Sequence, residues 1–170
     1  MLILPDADLR AGSDAEPVEC AHERVLALVE DLELRSEVVL VPAPALAEVL
    51  VTQAADVQAI LSMLQGRSAI RNGTFDQRAA VELAIRLRRA ADAGNVREGR
   101  RITKGEMKFD RQIVAIAKVY GMTTLYSDDE NLGCFVRSCG LQVKRVADLR
   151  IAAKQQDLGL READSDLGDL

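Results

Sequence analysis

Aromatic side chains are nearly missing from this chain: Phe, Tyr and Trp make up 3% of its residues, and Trp is absent altogether. A core must therefore be built from Leu, Val, Ile and Ala, and stacking platforms for single-stranded bases are not expected. Histidine occurs once, as His22 in a polar stretch ahead of a helical pattern. A His-based zinc site or a Ser–His–Asp triad would rest on that one residue. The three cysteines, Cys20, Cys134 and Cys139, are odd in number and show no C-x-x-C spacing. They read as reduced thiols of a cytoplasmic protein, acting as small hydrophobes. No run nears the ~20 apolar residues that cross a bilayer, and the opening MLILPDADLR reaches acids at once, so neither a membrane span nor a secretory signal is expected. Positive charge is also short, with 22 Lys and Arg against 27 Asp and Glu and a net charge of −5. That argues against a protein coating nucleic acid through phosphate contacts. It leaves room for an enzyme that meets a phosphate backbone through a metal ion, because the ion brings its own positive charge.

What is present suffices for one folded domain. Of 170 residues, 48% are hydrophobic and 29% charged, which excludes a disordered chain, a collagen-like fibre and a disulfide scaffold. The domain is expected over residues 1–150. Residues 151–170 are expected as a frayed or disordered tail, acidic and without periodicity from Asp157 onward.

Short apolar runs alternate with helical patterns. Leu2–Leu4, closed by Pro5, reads as a buried strand, and Gly12–Glu19 as a loop. His22–Leu32 carries an apolar stripe with acids opposite. Val38–Val41 is continuously apolar, as a strand covered on both faces should be. Pro42 and Pro44 end it, and Leu46–Val51 then looks helical. Asp56–Leu64 is an amphipathic helix with Asp56 as its expected cap. Asp76–Ala93 is a helix capped by Asp76 and stopped by Gly94. Its Ala79, Ala80, Leu83, Ala84, Leu87 and Ala91 form a face expected to pack closely. Asn95–Lys108 is basic and reads as an exposed loop. Asp110–Tyr120 is a helix ending at Gly121, Thr123–Tyr126 a strand, Asn131–Cys139 a helix ending at Gly140, and Leu141–Val146 a last strand. The alternation implies an α/β fold, a three-layer α/β/α sandwich around a central, mainly parallel sheet.

In such sheets ligands sit beyond the carboxyl ends of the strands. Asp6 and Asp8 follow the first strand, Glu48 lies in the helix after the second, and Ser127, Asp128 and Asp129 follow Tyr126. Asp110 opens the helix feeding that strand. Converging carboxylates repel unless a divalent cation neutralises them, and oxygen-only ligands favour Mg²⁺ or Mn²⁺ over zinc. Such a site polarises a phosphodiester and activates water for in-line attack. Each acid also has a structural reading. Asp6 or Asp8 would end a strand, Glu48 would lie on a solvated face, Asp110 would cap its helix, and Asp128–Asp129–Glu130 would form an N-cap cluster.

The segments LILPDAD, VVLVPAPALAEVL, FDQRAAVELA, KFDRQIVAIAKVYGMTTLYSDDENL and LQVKRVADL follow one another across residues 2–149. This series resembles the PIN-domain ribonucleases, particularly VapC-type toxins of toxin–antitoxin pairs. The resemblance implies a metal-dependent endoribonuclease using Mg²⁺ or Mn²⁺. Its catalytic and metal-binding acids would be Asp6, Glu48, Asp110 and Asp129, with Asp8, Ser127 and Asp128 close behind them. Ala7 and Asp8 stand where the family usually carries Ser or Thr and then Asn or Ser. Whether Asp6 or Asp8 is the first ligand therefore stays open. The Ser127 hydroxyl would either orient a carboxylate or bond the local backbone.

The spacing Asp6–Ala7–Asp8 also resembles the nucleophile motif of HAD-type phosphatases, with Lys104 or Lys108 and Asp128–Asp129 as later motifs. Arg10 stands where those enzymes usually have Thr or Ser, and Glu48 would be unexplained. A third reading is a PIN-like binding protein that no longer cleaves. On the ribonuclease reading, Arg97, Arg100, Arg101, Lys104 and Lys108 form an RNA-steering rim; otherwise they are a solvated loop. The family implies an antitoxin that places an Arg or Lys among the acids. The stripes of helices His22–Leu32 and Asp56–Leu64 either complete the core or leave a groove for a partner helix or a second copy, as in a homodimer.

Overall fold

The computed structural model describes residues 18–53, 56–92 and 104–151. The expected strand Leu2–Leu4, the acids Asp6 and Asp8, the rim residues Arg97, Arg100 and Arg101, and the tail from residue 152 lie outside the described residues. Those described form a mixed α/β fold of six helices and two parallel sheets of two strands each.

The elements run α1 (Ala21–Leu34), β1 (Val39–Pro42), α2 (Ala43–Thr52), α3 (Val57–Gln65), β2 (Ile70–Gly73), α4 (Gln77–Asp92), α5 (Lys104–Val119), β3 (Thr124–Tyr126), α6 (Glu130–Ser138) and β4 (Gln142–Lys144). A single 3-10 turn, Val146–Asp148, follows β4. β1 pairs with β2 in the register Val39↔Ile70 to Pro42↔Gly73, and β3 with β4 from Thr124↔Gln142 to Tyr126↔Lys144. Every parallel pair needs a crossover, and here helices supply it.

α5 packs against residues of both sheets. Ile113, Val114 and Ala117 pack with Leu132, Phe135 and Val136 of α6 and with Leu141. On its other side Ala115 and Ile116 meet Ala79 of α4, with Leu40 and Leu83 against them. Burying a side chain of this size stabilises by about 1.5–3 kcal/mol, so this one helix anchors much of the core.

Several expectations need correction. The stripes of α1 and α3 belong to the core in part: Val29 and Leu32 pack on Ala69, and Ile60 and Leu64 pack on Val41, while Val25, Leu26, Leu28, Val57 and Leu61 are half-buried. Asp56 precedes α3 but makes no side-chain cap. On α4 only Ala79 of the expected close-packing face is buried, and Leu83 is half-buried; Ala80, Ala84, Leu87 and Ala91 are exposed. The basic segment is not a loop to its end, since α5 begins at Lys104 and Asp110 is a mid-helix residue. β2 was not anticipated, because Ile-Arg-Asn-Gly has no apolar run and pairs through its backbone. Of the cysteines, all free, Cys20 and Cys134 are exposed rather than packed as small hydrophobes, and only Cys139 is half-buried. Asp76 does cap α4, accepting the Ala79 N–H at 2.9 Å. Among the described residues no helix is long and apolar enough to cross a membrane.

Candidate functional site

Asp110 sits one turn before Ile113 and Val114, on the helix stripe that packs toward α6 and the β3–β4 sheet. That placement buries it, leaving 9% of its surface exposed. It acts as neither a helix opener nor a cap.

Glu48 lies near the middle of α2, a helix that starts directly after β1 with Pro44 in its first turn. Ala45, one turn earlier on the same face, packs against the Ile113–Val114 cluster of α5. Glu48 thus follows Ala45 toward α5 while remaining exposed to water. Its carboxyl is held above the ordinary glutamate value of 4.5, first by desolvation and then by the negative charges of Asp110 and Asp129. Three acids from three separated segments therefore share one electrostatic field.

Asp129 caps α6. Its Oδ1 accepts the Asn131 N–H at 2.8 Å and the Leu132 N–H at 3.0 Å. The cap orients the carboxylate and leaves Oδ2 without a hydrogen bond to a described residue. The structural and functional readings of this residue are thus compatible, because they use different oxygens.

The neighbours Ser127 and Asp128 serve the backbone. Ser127 Oγ accepts the Asp129 N–H at 3.2 Å, so the oxygen bonds its own turn. Asp128 is buried, and its Oδ1 accepts the Val146 N–H at 3.1 Å, tying the end of β3 to the 3-10 turn after β4. Its Oδ2 is buried with no hydrogen-bond partner among the described residues. Sequence reasoning placed Asp128 near the site but missed this strut, which no local pattern announces.

The basic rim is only partly visible. Lys108 is exposed on α5 and lies about 200° around the helix axis from Asp110. It therefore does not project with that acid. Lys104 opens α5.

Among the described residues no three His, Cys, Asp or Glu side chains gather closely enough to hold a metal ion. Glu48, Asp110 and Asp129 are coupled without being clenched into a coordination sphere, as three like charges repel. Their chemistry, carboxylate oxygen without nitrogen or sulfur, suits a hard divalent cation. None of the three lines the cavity of about 680 Å³ between α1 and the β3–β4 sheet, or the smaller one beside β2. Compared with known proteins, the chain matches no family model and no curated protein.

Proposed function

We propose that this chain is a metal-dependent endoribonuclease of PIN type, the toxin of a toxin–antitoxin pair. One observation carries the reading: Glu48, Asp110 and Asp129, distant in sequence, lie close enough in the fold for two of them to raise the carboxyl of the third. A core has no use for such mutual repulsion, whereas a cation site does. The proposal extends to the architecture. The Leu2–Leu4 strand would join the two parallel pairs in one central sheet of a three-layer sandwich, bringing Asp6 or Asp8 to the same edge.

Glu48, Asp110, Asp129 and one of the first two acids would hold one or two Mg²⁺ or Mn²⁺ ions. The cation, when bound, supplies Lewis acidity and lowers the pKa of water for in-line attack on phosphorus. The chain's own part is positional. The α6 cap fixes Asp129 Oδ1, α5 holds Asp110 in a dry wall, and Glu48 stands at the wetted rim. Water would attack phosphorus directly, with no covalent enzyme intermediate, and the P–O3′ bond would break with the 3′-oxygen taking up a proton, so that the products carry a 5′-phosphate and a 3′-hydroxyl.

The test is cleavage of a labelled RNA by the full chain with Mg²⁺ or Mn²⁺ and with a chelator, followed by identification of the new ends. Metal-dependent cleavage with 5′-phosphate ends supports the reading. Phosphoryl transfer from a small phosphomonoester onto Asp6 would favour the phosphatase instead, and metal-dependent RNA binding without cleavage the binding protein. For the toxin role, growth arrest on expression should be relieved by the product of the adjacent reading frame.

A further inference from the structure

A cavity of about 680 Å³ lies between α1 and the carboxyl ends of β3 and β4. Its floor is apolar: Ala27 and Leu28 of α1, with Leu149 and Ile151 after the 3-10 turn. Its rim carries four cations. Arg24 is committed to the carbonyl oxygens of Glu19, Ala147 and Leu149. Arg35 is paired with Asp31 and Glu37. Lys144 and Arg150 form no ion pair with a described residue, and both are exposed. Asp148, the remaining acid of the lining, accepts the Arg145 N–H at 3.0 Å. An apolar floor with two uncommitted cations suits an acidic segment bearing aliphatic side chains.

The chain contains such a segment next to it. Residues 152–170 hold Asp157, Glu162, Asp164, Asp166 and Asp169 against only Lys154 and Arg161, interleaved with Leu158, Leu160 and Leu167. Ile151, from which this segment departs, is itself part of the cavity wall. The six residues from Ile151 to Asp157 reach up to about 20 Å, enough to cross a cavity only about 9 Å wide if it were a cube. Tethering this short gives an effective concentration on the order of millimolar, so weak rim pairs suffice. Val18, where the described chain begins, packs with Leu28 on the Val146–Leu149 cluster without lining the cavity, whereas Ile151 lines it directly.

We propose that residues 152–170 dock in cis across this cavity, with their acids on Lys144 and Arg150 and their leucines on the floor. The proposal is independent of the ribonuclease reading, and its test measures docking rather than cleavage. Amide NMR spectra of the full chain would be compared for the parent, for Lys144→Glu with Arg150→Glu, for Asp164→Lys with Asp166→Lys, and for all four changes together. Both pairs change exposed or tail charges, so the fold should persist in each. The expected result is that reversing the rim moves the amides of Asp157–Asp169 to coil positions. Reversing the tail moves those of Lys144–Ile151, and combining both restores the parent shifts. High salt should mimic the single reversals, since exposed pairs are screened beyond ~10 Å at 0.1 M ionic strength. Tail amides that ignore the rim reversal overturn the proposal. So do perturbations of Lys144–Ile151 that vanish on dilution, which would mean a second copy, or that follow changes only in residues 1–17.

Discussion

Glu48 is the residue whose titration reports the site. Its carboxyl is raised in the folded chain by desolvation and by Asp110 and Asp129, so folding favours the protonated form. The stability tied to this group is fully present below its ordinary value of 4.5 and is lost as pH rises through the folded value. Glu48→Gln stays neutral throughout. Urea denaturation should therefore find it more stable than the parent at neutral pH, by less than about 1 kcal/mol because water screens an exposed carboxylate. The difference should fade in acid. A variant less stable than the parent at neutral pH would mean that Glu48 is held by attraction instead. Asp129 allows its two roles to be separated. Asp129→Asn keeps an acceptor for the Asn131 and Leu132 N–H groups and should hold stability while losing RNA cleavage. Asp129→Ala removes the cap as well and should cost about 1 kcal/mol, measured by the same denaturation.

At the scale of elements, packing decides what local pattern leaves open. The first and last elements of the β3–α6–β4 unit were readable because Gly121 and Gly140 end helices with positive φ, 71° and 73°. β2 was not readable, since only backbone pairing with β1 makes Ile-Arg-Asn-Gly a strand. Gly73 shows the tertiary constraint there: a Cβ would stand 2.8 Å from side-chain carbons of Leu40 and Ile116. Gly73→Ala should cost about 1–3 kcal/mol by overpacking, seen as a lower urea midpoint with an unchanged slope. An unchanged midpoint would show that β2 and α5 part easily at this contact. The start of α5 is ambiguous in the sequence for a related reason. Lys, Glu and Met favour helix, but Gly105 and a dense run of cations equally fit a loop, and Asp110, ahead of an apolar stripe, equally fits a cap. In the fold its position on the Ile113–Val114 stripe decides its burial.

At the scale of the whole molecule, α5 joins two parallel pairs and carries Asp110 to where α2 and α6 present Glu48 and Asp129. The order of acid-bearing segments was legible in the sequence, because each acid lies on or beside an element that the alternation of strands and helices already marks. The dual use of Asp129, the Asp128 strut to Val146 and the cavity between α1 and the β3–β4 sheet were not, because each depends on contacts between distant segments. The central claim is that the shared field of the three acids exists to hold a catalytic cation. Asp110→Asn tests it most directly, since it keeps the shape of the side chain and removes one charge from the wall of the site. Initial rates of RNA cleavage would be measured for parent and variant across a Mn²⁺ titration, with circular dichroism to confirm the fold. The account predicts a folded variant whose rate falls about 100-fold or more, because even the loss of a group supporting a metal ligand costs 10–100-fold. A folded variant that cleaves RNA at the parent rate over the same titration would contradict it.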